Sequence, residues 1–206
     1  MELKFIKTSP TENMTLLIET PVPGEQHLEE QRRCCKENLR GAIPMGKYFG
    51  TDGFRGEANC NLTADHAFKV GRFLGWYYTQ LRRRSGADGP ARIVIGKDTR
   101  RSSYMFEYSL VGGLVASGAD AYLLHVTTTP SVAYVCRTEE FDCGIMISAS
   151  HNPYYDNGIK LLNSFGEKMD ESVIALIEAY LDGELVAFGK EWPELPLAHR
   201  DQIGRT

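Results

Sequence analysis

The chain lacks most of the features that mark common protein classes. No apolar run approaches the roughly 18 residues a membrane-spanning helix needs. Met1-Glu2-Leu3-Lys4-Phe5 opens without the apolar core of a secretory signal. Basic residues are not in excess: Lys plus Arg is 23 and Asp plus Glu is 27, a net charge of −4. That balance gives no reason to expect a nucleic-acid or membrane partner. An anionic substrate stays possible, because a local site can be basic on an acidic protein. The 5 cysteines are odd in number and show no C-x-x-C spacing. Adjacent Cys34 and Cys35 could be read as redox-active, but reduced thiols in the cytoplasm are the plainer expectation. There is no G-x-S-x-G elbow of a serine hydrolase. The glycine-rich run "FGTDGFRG" (49–56) lacks the G-K-[ST] of a phosphate loop and is not G-x-G-x-x-G. Alone it reads as a structural turn carrying an exposed Arg55.

What is present is a regular alternation after residue 45. Residues 1–45 hold possible short strands ("LKFIK", "MTLLIET") and a charged helix-like run ("EQHLEEQRRCCKENL"), and they read as an appendage without a motif. From Lys47 onward the pattern sharpens. Thr63 can cap a helix whose buried face is Ala67, Val70, Gly71, Leu74, Tyr77, Tyr78 and Leu81, the i, i+3, i+4, i+7 repeat. "RIVIG" is a strand. A helix should start at Ser102 or Ser103 and end near Gly118. "AYLLHV", a short helix with Pro130 in its first turn, and the strand "CGIMIS" follow. Strands alternating with helices predict an α/β fold: a three-layer α/β/α sandwich around a mostly parallel mixed sheet.

Open α/β sheets bind ligands beyond the carboxyl ends of their strands. Three such ends here lead into polar loops: Lys97-Asp98-Thr99-Arg100, Thr127-Thr128-Thr129-Pro130, and Ser148-Ala149-Ser150-His151-Asn152-Pro153. Hydroxyls, amides and cations gathered on one edge suit phosphate. Ser150 and His151 are adjacent, and neighbouring side chains on an extended backbone point apart, which disfavours a Ser–His–Asp triad. His151 has no partner at zinc-ligand spacing. Ser150 and Asn152 could simply cap a turn. Phosphoryl transfer fits better, since it asks the protein for positioning and positive charge. Arg55 and Lys160 supply the cations. Asp156-Asn157-Gly158 reads as a turn that folds the Lys160 strand back beside Ser150.

Four blocks, "KYFGTDGFRG", "IGKDTRRSS", "TTTPSVAY" and "GIMISASHNPYYDNGIKLL", together resemble the first domain of the α-D-phosphohexomutases, most closely the bacterial phosphoglucosamine mutases. The resemblance spans about residues 46–190. It implies that Ser150 carries the transferred phosphoryl group, with Lys160, Arg55 and His151 at the reacting centre. Ser148, Asn152, Asp98, Arg100 and Thr51 would bind phosphate or order the loops. It implies Mg²⁺, bound in part through the phosphate on Ser150, a hexose phosphate substrate, and a hexose 1,6-bisphosphate as intermediate. Ser148 favours glucosamine phosphate over the substrates of phosphoglucomutase or phosphomannomutase. The family's Asp-Gly-Asp-Gly-Asp metal loop, its sugar-recognition loop and its second phosphate loop have no counterpart in the sequence. "GFRG" replaces the commoner "GIRG". The expectation is therefore a first domain, with residues 191–206 as a linker toward a second and little activity alone. The competing expectation is a non-catalytic module that binds sugar phosphate or a partner chain.

Overall fold

Ile93, Val94 and Ile95, and Ile145, Met146 and Ile147, put apolar side chains on both faces of their strands. Such segments can only be central in a sheet covered on both sides. The computed structural model describes residues 46–206. Both the appendage expected for residues 1–45 and the pair Cys34 and Cys35 lie outside the described residues. The elements are β1 (Phe49–Gly50), β2 (Gly53–Glu57), α1 (Ala64–Ser85), β3 (Arg92–Lys97), α2 (Arg101–Ala116), β4 (Asp120–Val126), α3 (Thr129–Thr138), β5 (Cys143–Ile147), β6 (Asp156–Leu162) and α4 (Glu171–Leu181). A small hairpin, β7 (Val186–Ala187) and β8 (Lys190–Glu191), and a 3₁₀ turn at Arg200–Gln202 complete them.

The sheet order is β1-β2-β6-β5-β3-β4. β3 runs parallel to β4 and β5, while β6 is antiparallel to both β5 and β2, and β2 to β1. Hence β2, β3, β4 and β5 all point one way. Parity sets the faces. Ile93, Ile95, Ile145, Ile147, Ile159 and Leu161 pack in one large core with side chains of α1, α2 and α4. Val94, Met146 and Leu162 face the other side and pack on Val132 and Cys136 of α3. This is the α/β/α sandwich that the alternation predicts.

Helix boundaries follow local chemistry. The Thr63 hydroxyl accepts a hydrogen bond from the His66 N–H, and His66 Nδ1 accepts one from the Thr63 N–H. Gly86 closes α1 in the left-handed region. α1 and α2 cross closely because glycines meet backbone: a Cβ on Gly71 would lie 2.3 Å from the Leu110 oxygen, and one on Gly113 2.2 Å from the Phe68 oxygen. α2 begins at Arg101, one or two residues earlier than expected, because Asp98 already binds both the Arg100 N–H and the Ser103 hydroxyl.

Two local readings need correction. "GFRGE" is a strand, not a turn; its Phe54 enters the large core, which draws the segment into the sheet. Asp156-Asn157-Gly158 is also strand, and the reversal occurs before it, between Ser150 and Tyr155. The buried Asn157 amide donates to the Ser102 and Ser103 hydroxyls, which holds that residue extended. Residues 191–206 lie against the domain. Arg72, buried on α1, donates to the carbonyls of Leu195 and Pro196, and Trp192 meets the Trp76 ring at 4.9 Å. Among the described residues Cys60, Cys136 and Cys143 are free thiols, and no helix is long and apolar enough to cross a membrane.

Candidate active site

Beyond Ile147 the chain leaves the sheet and turns sharply. Ser150 stands at the tip, exposed, with φ of 54°. Non-glycine residues adopt that left-handed backbone rarely, so surrounding bonds must hold it there. Several do. The Ser150 N–H donates to Ser148 Oγ at 3.0 Å. Arg100 reaches across from the end of β3 and donates to four carbonyls of the loop: Ser150 at 3.0 Å, Asn152 at 2.8 Å, Asp156 at 3.0 Å, and Pro153. Asp98 fixes Arg100 in turn through Nε at 3.0 Å. Asn152 bridges to the Asp156 carboxylate at 3.0 Å.

The cations arrive from the neighbouring strands. Ile159 and Leu161 point into the large core, so Lys160 between them points the other way. Phe54 likewise sends Arg55 to that second face. Lys160 Nζ lies 2.7 Å from Ser150 Oγ, and Arg55 Nη2 lies 3.4 Å from the same oxygen. Arg55 also donates to Asn152 Oδ1 at 3.3 Å and pairs with Asp52 at 3.1 Å. Gly158, opposite Arg55 in register, leaves the space: a Cβ there would sit 2.9 Å from the Ser148 oxygen and 3.0 Å from Arg55 Cγ. Burial, and then the adjacent Arg55 charge, push the Lys160 ammonium below its ordinary pKa; the carboxylates of Asp52 and Asp98 pull it partly back.

The other expected residues are placed differently. His151 is exposed and makes no hydrogen bond or ion pair among the described residues. Thr51 lines a cavity of about 540 Å³ beside Lys160, shared with Phe49, Asp52, Lys168 and Met169. Among the described residues no hydrogen bond joins the threonine loop after β4 to the Ser150 loop; Thr128 instead caps α3, accepting from the Ser131 N–H at 3.4 Å. So two of the three polar loops meet. Asp52 was not foreseen. Its only signal was its position three residues before Arg55, and a segment taken for a turn gave that spacing no meaning.

A protein-family model described as phosphoglucomutase/phosphomannomutase, alpha/beta/alpha domain I, matches residues 46–185. The chain belongs to this family. Over 162 residues it is 74% identical to a phosphoglucosamine mutase of Lachnospira eligens, covering 79% of this chain and 34% of that protein. It is 65% identical, over the same length, to a phosphoglucosamine mutase of Lachnoclostridium phytofermentans, covering 79% and 33%. The fold is shared with a phosphoglucomutase/phosphomannomutase family protein of Burkholderia thailandensis, with a TM-score of 0.55 and 23% identity over 68% of this chain and 31% of the other. The phosphohexomutase domain thus spans about a third of the length of the curated relatives it matches.

Around Ser150 the site is cationic. Asp52 and Asp98 are each engaged by an arginine, and among the described residues no three His, Cys, Asp or Glu side chains group to hold a metal. These residues by themselves do not form a Mg²⁺ cage. What they do bring together is an ammonium, Lys160, and a guanidinium, Arg55, on the one hydroxyl of Ser150.

Proposed function

We propose that this domain carries the phosphoryl group of a phosphohexomutase on Ser150, for interconversion of glucosamine 6-phosphate and glucosamine 1-phosphate. The observation that carries the reading is the pair of cations on one serine oxygen, Lys160 at 2.7 Å and Arg55 at 3.4 Å, at the tip of a loop held in a rare backbone conformation. The glucosamine substrate is supported by the names of the relatives at 74% and 65% identity.

In transfer from phosphorylated Ser150, the bond between phosphorus and Ser150 Oγ breaks and a bond to a sugar hydroxyl oxygen forms. The departing serine oxygen takes a proton, and Lys160 is the donor within reach. The sugar hydroxyl loses its proton to the amine this leaves on Lys160, directly or through solvent, so the net proton transfer is from sugar to serine. Arg55 faces the non-bridging oxygens, where charge gathers. Arg100 and Asp98 keep the serine in place, which is the positioning that phosphoryl transfer chiefly requires. Mg²⁺ would add charge neutralisation through the Ser150 phosphate, with carboxylates beyond those described.

A chimera tests this. The matching first third of the Lachnospira eligens enzyme is replaced by this domain, and glucosamine, glucose and mannose phosphates are assayed with Mg²⁺ and a hexose 1,6-bisphosphate. Turnover is expected with glucosamine phosphate first. Ser150→Ala should abolish it, and undiminished turnover in that variant overturns the assignment.

A further inference from the structure

We infer that Asp52 is a positioning residue: its carboxylate holds the Arg55 guanidinium in the orientation that meets Ser150. The inference rests on the reading of Ser150 as the reacting group. Arg55 comes from the middle of β2, and its backbone is fixed by pairing with Gly158. Pairing places the Cα but leaves a long, flexible side chain to be aimed. Two groups do the aiming. Asn152 accepts from Nη1 at 3.3 Å, and Asp52 accepts from Nη2 at 3.1 Å. Nη2 is also the nitrogen that points at Ser150 Oγ. One carboxylate oxygen therefore sets the direction of the nitrogen that would meet the phosphoryl group. Arg55 Nε is buried without a hydrogen-bond partner, so the outer two nitrogens carry all the orienting contacts among the described residues.

The source of Asp52 is also informative. It sits in the two-residue connection between β1 and β2, where Gly50 and Gly53 pair across the hairpin. Gly53 has φ of +99°, and a Cβ there would lie 2.4 Å from the Ile159 oxygen. The turn is thus pressed against β6, the strand that carries Lys160. Its tip residue Asp52 is two-thirds exposed, while the Arg55 side chain is 21% exposed. An exposed pair contributes little to stability. The value of this one lies in geometry: it keeps an arginine from swinging out to solvent or across to a carbonyl of the loop.

The test is made on the 206-residue chain by side-chain ¹⁵N NMR of the Arg55 guanidinium, with the amide spectrum as the check on folding. In the native chain, rotation about the Arg55 Cζ–Nε bond is expected to be slow. Asp52→Asn and Asp52→Ala should speed it several-fold with the amide spectrum outside the hairpin unchanged, and Asp52→Glu should restore much of the restraint. Unaltered Arg55 dynamics in both Asp52→Asn and Asp52→Ala overturn the inference. A second measurement separates it from the reading of the site. Phosphate uptake at Ser150 from a hexose 1,6-bisphosphate is followed by mass spectrometry in Asp52→Asn, Arg55→Lys and the double variant. If Asp52 acts through Arg55, the double variant is no slower than Arg55→Lys alone. Fully multiplied losses overturn the inference. Undiminished turnover of the Ser150→Ala chimera, together with a loosened Arg55 in Asp52→Asn, refutes the proposed function and leaves the positioning role standing.

Discussion

The loop after β5 and the loop after β4 are alike in composition and unlike in use. Both leave the carboxyl end of a strand with hydroxyls and end in proline: Ser148 to Pro153 in one, Thr127 to Pro130 in the other. The first is gripped by Arg100 and placed between two cations. The second spends Thr128 on the N-terminus of α3. Strand order explains the difference. β5 has β3 on one side and β6 on the other, so its loop meets residues from both neighbours. β4 is the edge strand, and β3 separates it from β5. Similar residues at similar strand ends acquire chemistry only where two neighbours converge.

The comparison breaks most visibly at the serine. In the chimeric enzyme Ser150→Ala should remove turnover altogether, and Ser148→Ala should only reduce it, since Ser148 supports the loop through one hydrogen bond to the Ser150 N–H. Next is Arg100→Ala. It strips four carbonyls of their donor and leaves Asp98 without its arginine. We expect a loss on the order of 3 kcal/mol in denaturant unfolding, because a mostly buried charge pair is broken. Turnover in the chimera should fall about 10²-fold, as for other losses of positioning around a reacting group. Arg100→Lys should recover only part of both, since an ammonium cannot span carbonyls that a planar fork reaches.

Two smaller effects sharpen the contrast. Lys160 has its pKa lowered by burial and by Arg55, so its amine should lose its proton below the ordinary lysine value of 10.5. The sign follows from the charged form being the one that burial and Arg55 disfavour. Acylation of the unphosphorylated chain as a function of pH, read residue by residue by mass spectrometry, should show Lys160 reaching half-reactivity below pH 10.5. Arg55→Ala should move Lys160 back upward. At the other loop, Thr128→Ala should cost about 1 kcal/mol, the usual worth of an N-cap hydroxyl. It should leave phosphoryl transfer unchanged. A Thr128→Ala chimera with turnover lowered as far as Arg100→Ala would end the distinction between the loops.

Much of the scaffold could be read along the chain. The α1 stripe from Ala67 to Leu81, the Thr63 cap and the apolar runs of β3 and β5 are local signals, and local periodicity reports burial directly. β2 and β6 were harder. Four of the five residues in "GFRGE" are glycine or charged, and "DNG" looks like a turn by composition. Both became strand because Phe54, Ile159 and Leu161 have a core to enter and the backbone has a ladder to join. "FGKEWPELPLAHRDQIGRT" showed no periodicity, yet it is held by Arg72, a residue more than a hundred positions earlier.

The sequence alone determined the alternation of strands and helices, the buried faces, and the residue types suited to phosphate at Ser150, Lys160 and Arg55. These follow from short-range rules: period 2 or 3.6, caps, and polar residues at strand ends. Only the tertiary structure decided which of those residues meet. Lys160 is ten positions from Ser150 and Arg55 ninety-five, and their convergence depends on β6 lying between β5 and β2. Strand order is set by which apolar faces can be buried together, a property of the whole chain that no single segment carries.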